Sequence, residues 1–407
     1  MIKKIGIVSA AAFASQLLQF AAQPILATLA PVPAFGRVAE LASLATFISI
    51  VASLQLHIAY LSENDEHHRR LLQRSAGPLF LCAGALTALI SIGLGWMGLH
   101  EHDLVRRGLL FGLLTWSYCA GNFQISVFVK SEAFGSVAAF TMGRALLVVL
   151  LQYGLLRAGS VDGLLYGLVV GEVVSRICSQ FLPGGVFIRW TGWLRGLRAV
   201  LSRYRHFVGF GTIQEVAAAF NFLMPVFAAT AHFGAAAGGL FAVANKMTWA
   251  PVQLVNQGAG AILTSRLSIV ESERIVKLSM LYLVGAFVVF IGAFLALWGF
   301  ADLIIIRFFS EEWDAARPLV TWLAAWAAAF LAALPARYLI RVRRWQAGQL
   351  VIEAMMTVGA VSILVTADDI QHFSKAISIA GVMQNLCIVL MVVWMVSRGR
   401  VADKEGA

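Results

Sequence analysis

The chain has 407 residues, 60% of them hydrophobic and 13% charged, with a formal net charge of +10 and a mean hydropathy of +0.81. A soluble protein of this length needs more polar surface than that. Repeated apolar stretches of about 18 or more residues mark helices that cross a bilayer, where lipid offers the backbone no hydrogen-bond partner outside the helix. The basic residues fall mostly in short loops between apolar runs, which accounts for the charge without a nucleic-acid partner.

The first run, at about 5–30, opens like a secretory signal but is too long for one and carries Gln16, Gln19 and Gln23. It is expected to be retained as the first span. Further runs follow at about 40–61, 77–98, 108–129, 135–156, 163–187, 207–231, 236–264, 278–306, 318–340, 347–367 and 374–397. Twelve spans put both termini on one side. Of the 31 Lys and Arg, 21 lie on that side and 7 on the other, so both termini are expected in the cytoplasm. The remaining three, Arg144, Arg176 and Lys246, lie within spans. Cys82, Cys119, Cys178 and Cys387 all fall inside apolar runs without metal-ligand spacing, which predicts small core residues and no disulfide framework, metal or cofactor.

The segment RWTGWLRGLRAVLSRYRHF at 189–207 is basic and amphipathic. It reads as a cytoplasmic linker on the anionic leaflet, Trp and Leu inward and Arg outward. It divides the chain into six-span halves at 1–187 and 207–407, with 188–206 between them. The halves resemble one another: 23–47 can be laid over 224–249 with Pro24 on Pro225, each copy having a proline, a tight turn and a Gly/Ala-rich start to the next span. An even number of spans gives both repeats one orientation. No G-x-x-x-x-G-K-[ST] loop, HExxH motif or Ser/His/Asp arrangement near a loop is present. The pattern points to a transporter without its own ATPase and not to an enzyme.

Intramembrane polar residues are costly and carry function more often than chance. Gln16, Gln19 and Gln23 share one helical face, as do Glu172, Arg176 and Gln180. Gln214, Glu215 and Asn221 are about two turns apart, Arg144 and Gln152 likewise. Asn245, Gln253 and Asn256 lie near one another on a helical wheel, as do Lys246, Gln253 and Gln257. Such stripes face inward, away from lipid. Plainer readings stand beside this one. Glu172 and Arg176 at i, i+4 can neutralise one another, the glutamines can simply tie helices together, and Arg37 and Arg337 near span ends can snorkel. His57 and His232 read as interfacial. Lys246 and Arg144 have no carboxylate one turn away, and Glu215 on a neighbouring span is the partner expected for Lys246. The mild cationic lean favours an anionic substrate.

The stretch ASQLLQFAAQPILATLAPVPAFGRVAELASL near the start, and FLMPVFAATAHFGAAAGGLFAVANKMTWAPVQLVNQGAGAILTSRLS after the linker, resemble the Wzx-type lipid-linked glycan flippases. These form the polysaccharide-export branch of the multidrug/oligosaccharidyl-lipid/polysaccharide (MOP) flippase superfamily. The carrying features are Pro225, Phe233-Gly234, the segment from Gly239 to Ala244, and Pro251. The resemblance implies an all-α, MATE-like integral membrane protein of about twelve helices in two six-helix bundles, in the bacterial inner membrane. It implies a flippase that carries an undecaprenyl-diphosphate-linked oligosaccharide to the periplasmic leaflet by alternating access. Its partners would be membrane lipids and polysaccharide polymerase or export proteins. Matching cavity residues would be Lys246, Arg144, Arg176, Arg37, Gln23, Asn245, Gln253 and Asn256, with Glu215 and Glu172 the candidates for ion coupling. The rival readings are a cation-coupled drug or metabolite antiporter of the same superfamily and a membrane-embedded glycan polymerase or ligase.

The charge bias makes a topology prediction. A green fluorescent protein fused to the C-terminus is expected to fluoresce, and alkaline phosphatase fused there to stay inactive; an active phosphatase fusion would place that terminus outside.

Overall fold

The computed structural model describes residues 2–94, 104–185, 193–205, 207–269, 272–343 and 345–405. Among them there is no strand, and the order is α1 (Ile2–Ala27), α2 (Val32–Ser53), α3 (Leu56–Ser62), α4 (Glu66–Leu94), α5 (Leu104–Lys130), α6 (Phe134–Arg157) and α7 (Gly163–Ser179). Then come α8 (Trp193–Arg203), α9 (Thr212–Ile269), α10 (Ser272–Phe308), α11 (Arg317–Arg343), α12 (Gln346–Thr366) and α13 (Ile370–Glu405). The all-helical class is as expected. The span count is coarser: eight stretches among the described residues are long and apolar enough to cross a membrane. One of them, Thr212–Asn256, is 45 residues long. The expected spans in α1, α5 and α7 are helical but fall outside that set; α1 and α5 are diluted by glutamines, serines and arginines, and α7 has only 17 residues.

Glycine and proline decide where the long apolar runs break. Within α9, Gly234 takes φ 89° and ψ 166°, a conformation closed to residues with a Cβ. The chain turns so tightly there that a Cβ on Gly238 would lie 2.0 Å from Thr230 Oγ1. This is the turn expected at Phe233-Gly234. The first copy turns differently. Phe35 and Gly36 are buried inside α2, and the turn falls earlier because Pro31, extended at φ −68° and ψ 154°, caps the helix with a second proline in its first turn. The second expected span is itself interrupted. Leu54 and Gln55 both adopt left-handed backbone, at φ 48° and 56°, separating α2 from α3 at about 1–2 kcal/mol of strain each.

The chain divides into two compact units, Met1–Phe227 and Ala228–Ala407. In the first, α4 packs on α5, α5 on α7, and α6 on α7, with α1 against α6 and α2 against α5. In the second, α10 packs on α11, α11 on α13, and α12 on α13, so the order of neighbours repeats. Outward faces are apolar: Phe287, Val288 and Leu303 of α10, and Met355, Val358 and Val365 of α12, are each more than 60% exposed, as helix faces turned to lipid should be.

The linker helix α8 is tied to the first unit through protein contacts. Its apolar side docks on α4, where Val200 and Tyr204 join Tyr60, Leu72 and Phe80 in a buried cluster. A Cβ on Gly196 would come 2.8 Å from Ser75 Oγ. Tyr204 donates its hydroxyl to Glu63, and Arg203 Nε lies 3.4 Å from the same carboxylate. That hydroxyl, helped by the backbone N–H groups of Asp65 and Asn64, holds the Glu63 carboxyl well below its usual range, at about 2. Burying Val200 and Tyr204 against protein satisfies their apolar surface; Leu194 stays exposed.

Small residues set the helix spacing that positions the polar groups. Gly163, Gly167 and Gly171 form a stripe along α7, and a Cβ on them would lie 2.9 Å from Leu156 N, 2.4 Å from Gln152 N and 2.8 Å from Val148 Cα of α6. Gly84 and Gly112 do the same for α4 and α5, at 2.7 and 2.4 Å from each other's carbonyl oxygens. Backbones meet directly, which is how helices associate where lipid is as apolar as leucine. Gly167→Leu is therefore expected to destabilise by about 3 kcal/mol and to lower the yield of folded protein in fluorescence-detected size exclusion, whereas Gly154→Leu, which has open space around it, should not.

Candidate functional site

Helix packing in the first unit brings Arg144 of α6 and Glu172 of α7 together. Arg144 Nε lies 2.8 Å from the carboxylate, and the guanidinium sits 5.7 Å from the centre of the Tyr118 ring on α5. The Glu172 side chain is 6% exposed and that of Arg144 33%. The Ser117 hydroxyl donates to the Glu172 carbonyl. Only Nε of Arg144 makes a hydrogen bond among the described residues, leaving both terminal amino groups presented at its partly exposed end.

This pairing rules out the Glu172–Arg176 pair that the i, i+4 spacing allowed. With Glu172 held across the helix interface by Arg144, Arg176 is left with one hydrogen bond, Nη1 to Ser179 Oγ at 2.9 Å. The residue is 5% exposed, and its Nε has no partner. Arg37 stands elsewhere. With Arg106 it converges on Asp162 at the end of α2, α5 and α7, at 3.8 and 2.7 Å, clamping helix ends. Gln23 is buried and donates to the Gln19 carbonyl. Gln152 is buried and donates to the Leu164 carbonyl. Asn221 is buried, Gln214 half-buried and Glu215 exposed.

In the second unit the arm of α9 after Gly234 carries Asn245, Lys246, Gln253 and Asn256, all half-buried. The Tyr338 hydroxyl of α11 donates to Asn256 Oδ1 at 3.0 Å. No carboxylate among the described residues of this unit lies within ion-pair distance of Lys246. Gln257 falls outside the residues whose side chains are described. The arm meets α11 through aromatic rings: Trp249 packs edge-on against Trp326 and Phe330.

The second unit also holds a polar network that the sequence reading missed. Arg337 does not snorkel. Its side chain is 15% exposed, lies over the Phe330 ring at 4.8 Å, donates to Asn385 Oδ1 at 3.0 Å, and approaches Glu353 at 3.7 Å. Gln349 Nε2 donates to Glu353 at 2.7 Å. Glu353 and Asn385 are each 1% exposed. The available signal was the spacing of Gln349 and Glu353 at i, i+4 inside an apolar run, with Asn385 deep in the next. Among the described residues, no group of three or more His, Cys, Asp or Glu could hold a metal ion.

No protein-family model matches the chain, and no curated protein does. Solved structures do. An inward-facing multidrug resistance MATE family transporter of the MOP superfamily superposes with a TM-score of 0.67 at 15% identity, over 94% of this chain and 95% of that one. The fold is MATE-like. The lipid II flippase MurJ, in an inward closed conformation, matches with a TM-score of 0.60 at 10% identity over 95% of this chain and 87% of its own. A MOP superfamily transporter from Pyrococcus furiosus, described as having a binding pocket of reversed polarity, matches at 0.58 and 15% identity, over 98% and 96%. These three neighbours share the fold at 15% identity or below.

The ion pair has a direct test. Arg144→Met leaves Glu172 buried and uncompensated and is expected to cost about 3 kcal/mol, the low end for a buried pair because Arg144 is one-third exposed. The double variant Arg144→Met/Glu172→Met should recover most of that loss in thermal unfolding; independent, additive losses would show the pair to be uncoupled.

Proposed function

We propose that the protein is a flippase of twelve spans in two six-helix halves, moving an isoprenoid-diphosphate-linked oligosaccharide across the bacterial inner membrane by alternating access. The observation that carries this reading is Lys246, an ammonium on an apolar arm with no carboxylate near it in its unit and with Asn245, Gln253 and Asn256 on the same arm. An intramembrane cation with amide neighbours fits an anionic head group followed by sugar hydroxyls. In this reading Lys246 takes the diphosphate and the amides of its own arm hydrogen-bond the glycan. The lipid tail stays in the bilayer. The product would pass to polymerase or export proteins.

The antiporter reading draws on the multidrug transporters among the structural neighbours. A cation-coupled exchanger needs a carboxylate available to its ion. Of the two candidates for coupling, Glu172 is matched to Arg144, which leaves Glu215 as the one for protons or sodium.

Lys246→Ala is expected to reduce translocation of a lipid-linked oligosaccharide in proteoliposomes by at least about tenfold, with protein abundance unchanged and partial recovery in Lys246→Arg. Wild-type export by Lys246→Ala would remove this residue from the site.

A further inference from the structure

We propose that Arg176 anchors a site inside the first unit for a phosphate oxyanion carried by a lipid. The argument starts from charge. A guanidinium keeps its proton, so Arg176, 5% exposed in an apolar run, is a fixed positive charge in a poorly polar environment. Such a group costs several kcal/mol unless it meets an anion. The protein could have supplied one, since Glu172 lies one turn earlier on the same helix, but that carboxylate is bonded to Arg144 at 2.8 Å. Arg144, across the α6–α7 interface, is itself a cation and already holds Glu172.

The donor geometry names the ligand class. Nη1 is used by Ser179 Oγ, and the Ser179 hydroxyl proton goes to the Arg176 carbonyl. Nε has no acceptor. The Nε–Nη2 edge, the side of the guanidinium whose two parallel N–H groups fit a pair of phosphate or carboxylate oxygens, therefore has no protein acceptor among the described residues. Ser175 is unable to serve, because its hydroxyl donates to the Glu172 carbonyl. Arg176 lies in the last turn of α7, at the end that leads to the basic linker, which the loop charges assign to the side of the anionic head groups. The oxyanion comes from a phosphodiester head group of the bilayer or from the diphosphate of an isoprenoid-linked substrate. The inference takes from the flippase reading only the second of these sources.

The test is thermal unfolding of the purified full-length protein. In neutral detergent, Arg176→Met removes an uncompensated buried charge and is expected to raise Tm by about 5 °C. Phosphatidylglycerol in mixed micelles, or farnesyl diphosphate, should raise the wild-type Tm and leave Arg176→Met unchanged. A shift with phosphatidylglycerol alone assigns the site to bilayer lipid, and one with farnesyl diphosphate alone assigns it to the substrate head group. Arg176→Gln, which keeps a donor without the charge, gives the same readout should the methionine variant fold poorly. An anion-induced shift that survives both substitutions, or variants less stable than wild type without anion, would overturn the proposal. Loss of export in Lys246→Ala together with no Arg176-dependent shift would remove this inference and leave the transport reading standing. The shift together with wild-type export in Lys246→Ala would do the reverse.

Discussion

A charge held in a protein surrounded by lipid has to be matched, because water is not there to do it, and the cost of leaving it unmatched exceeds that of almost any single packing defect. The intramembrane ionic residues of this chain sort themselves by that requirement. Glu172 takes Arg144, Glu353 and Asn385 take Arg337, and Asp162 gathers Arg37 and Arg106 at a helix end. Lys246 and Arg176 have no such carboxylate among the described residues of their own units. The paired cations are structural charge, and the proposed ligand contacts rest on the two that have no such partner.

Pairing across helices needs helices that approach closely, and here the small residues enter. Arg144 and Glu172 meet because the glycines of α7 let its backbone touch that of α6. In the second unit the bulky aromatics Trp249, Trp326 and Phe330 fill the space between α9 and α11, while Tyr338 reaches back to Asn256. At these two interfaces, α6–α7 is closed by missing side chains and α9–α11 by large rings.

Much of the architecture was legible in the sequence because the bilayer imposes a one-dimensional code. Length and apolarity located the helices, and Gly234 marked its turn. The span count was less legible: α7 is short and α2 is cut at Leu54 and Gln55, two ordinary residues in a backbone conformation that no residue type announces. Partner choice was the least legible. Spacing along one helix suggested Glu172 with Arg176, whereas packing gave Glu172 to Arg144, 28 positions away in sequence. Arg337 looked peripheral for the same reason, since its neighbours Glu353 and Asn385 come from two other helices. Periodicity describes a face; it does not say which face lies opposite.

The glycine stripe of α7 has a mechanical consequence. With no α7 side chain in between, its backbone sits directly on the backbone and first side-chain atoms of α6, a fit that resists axial sliding and rolling because an offset drives atoms of α6 into it. α6 and α7 are thus coupled as one strut, and whatever rearrangement the first unit undergoes carries Arg144 and Glu172 at fixed separation, like two teeth cut on the same gear.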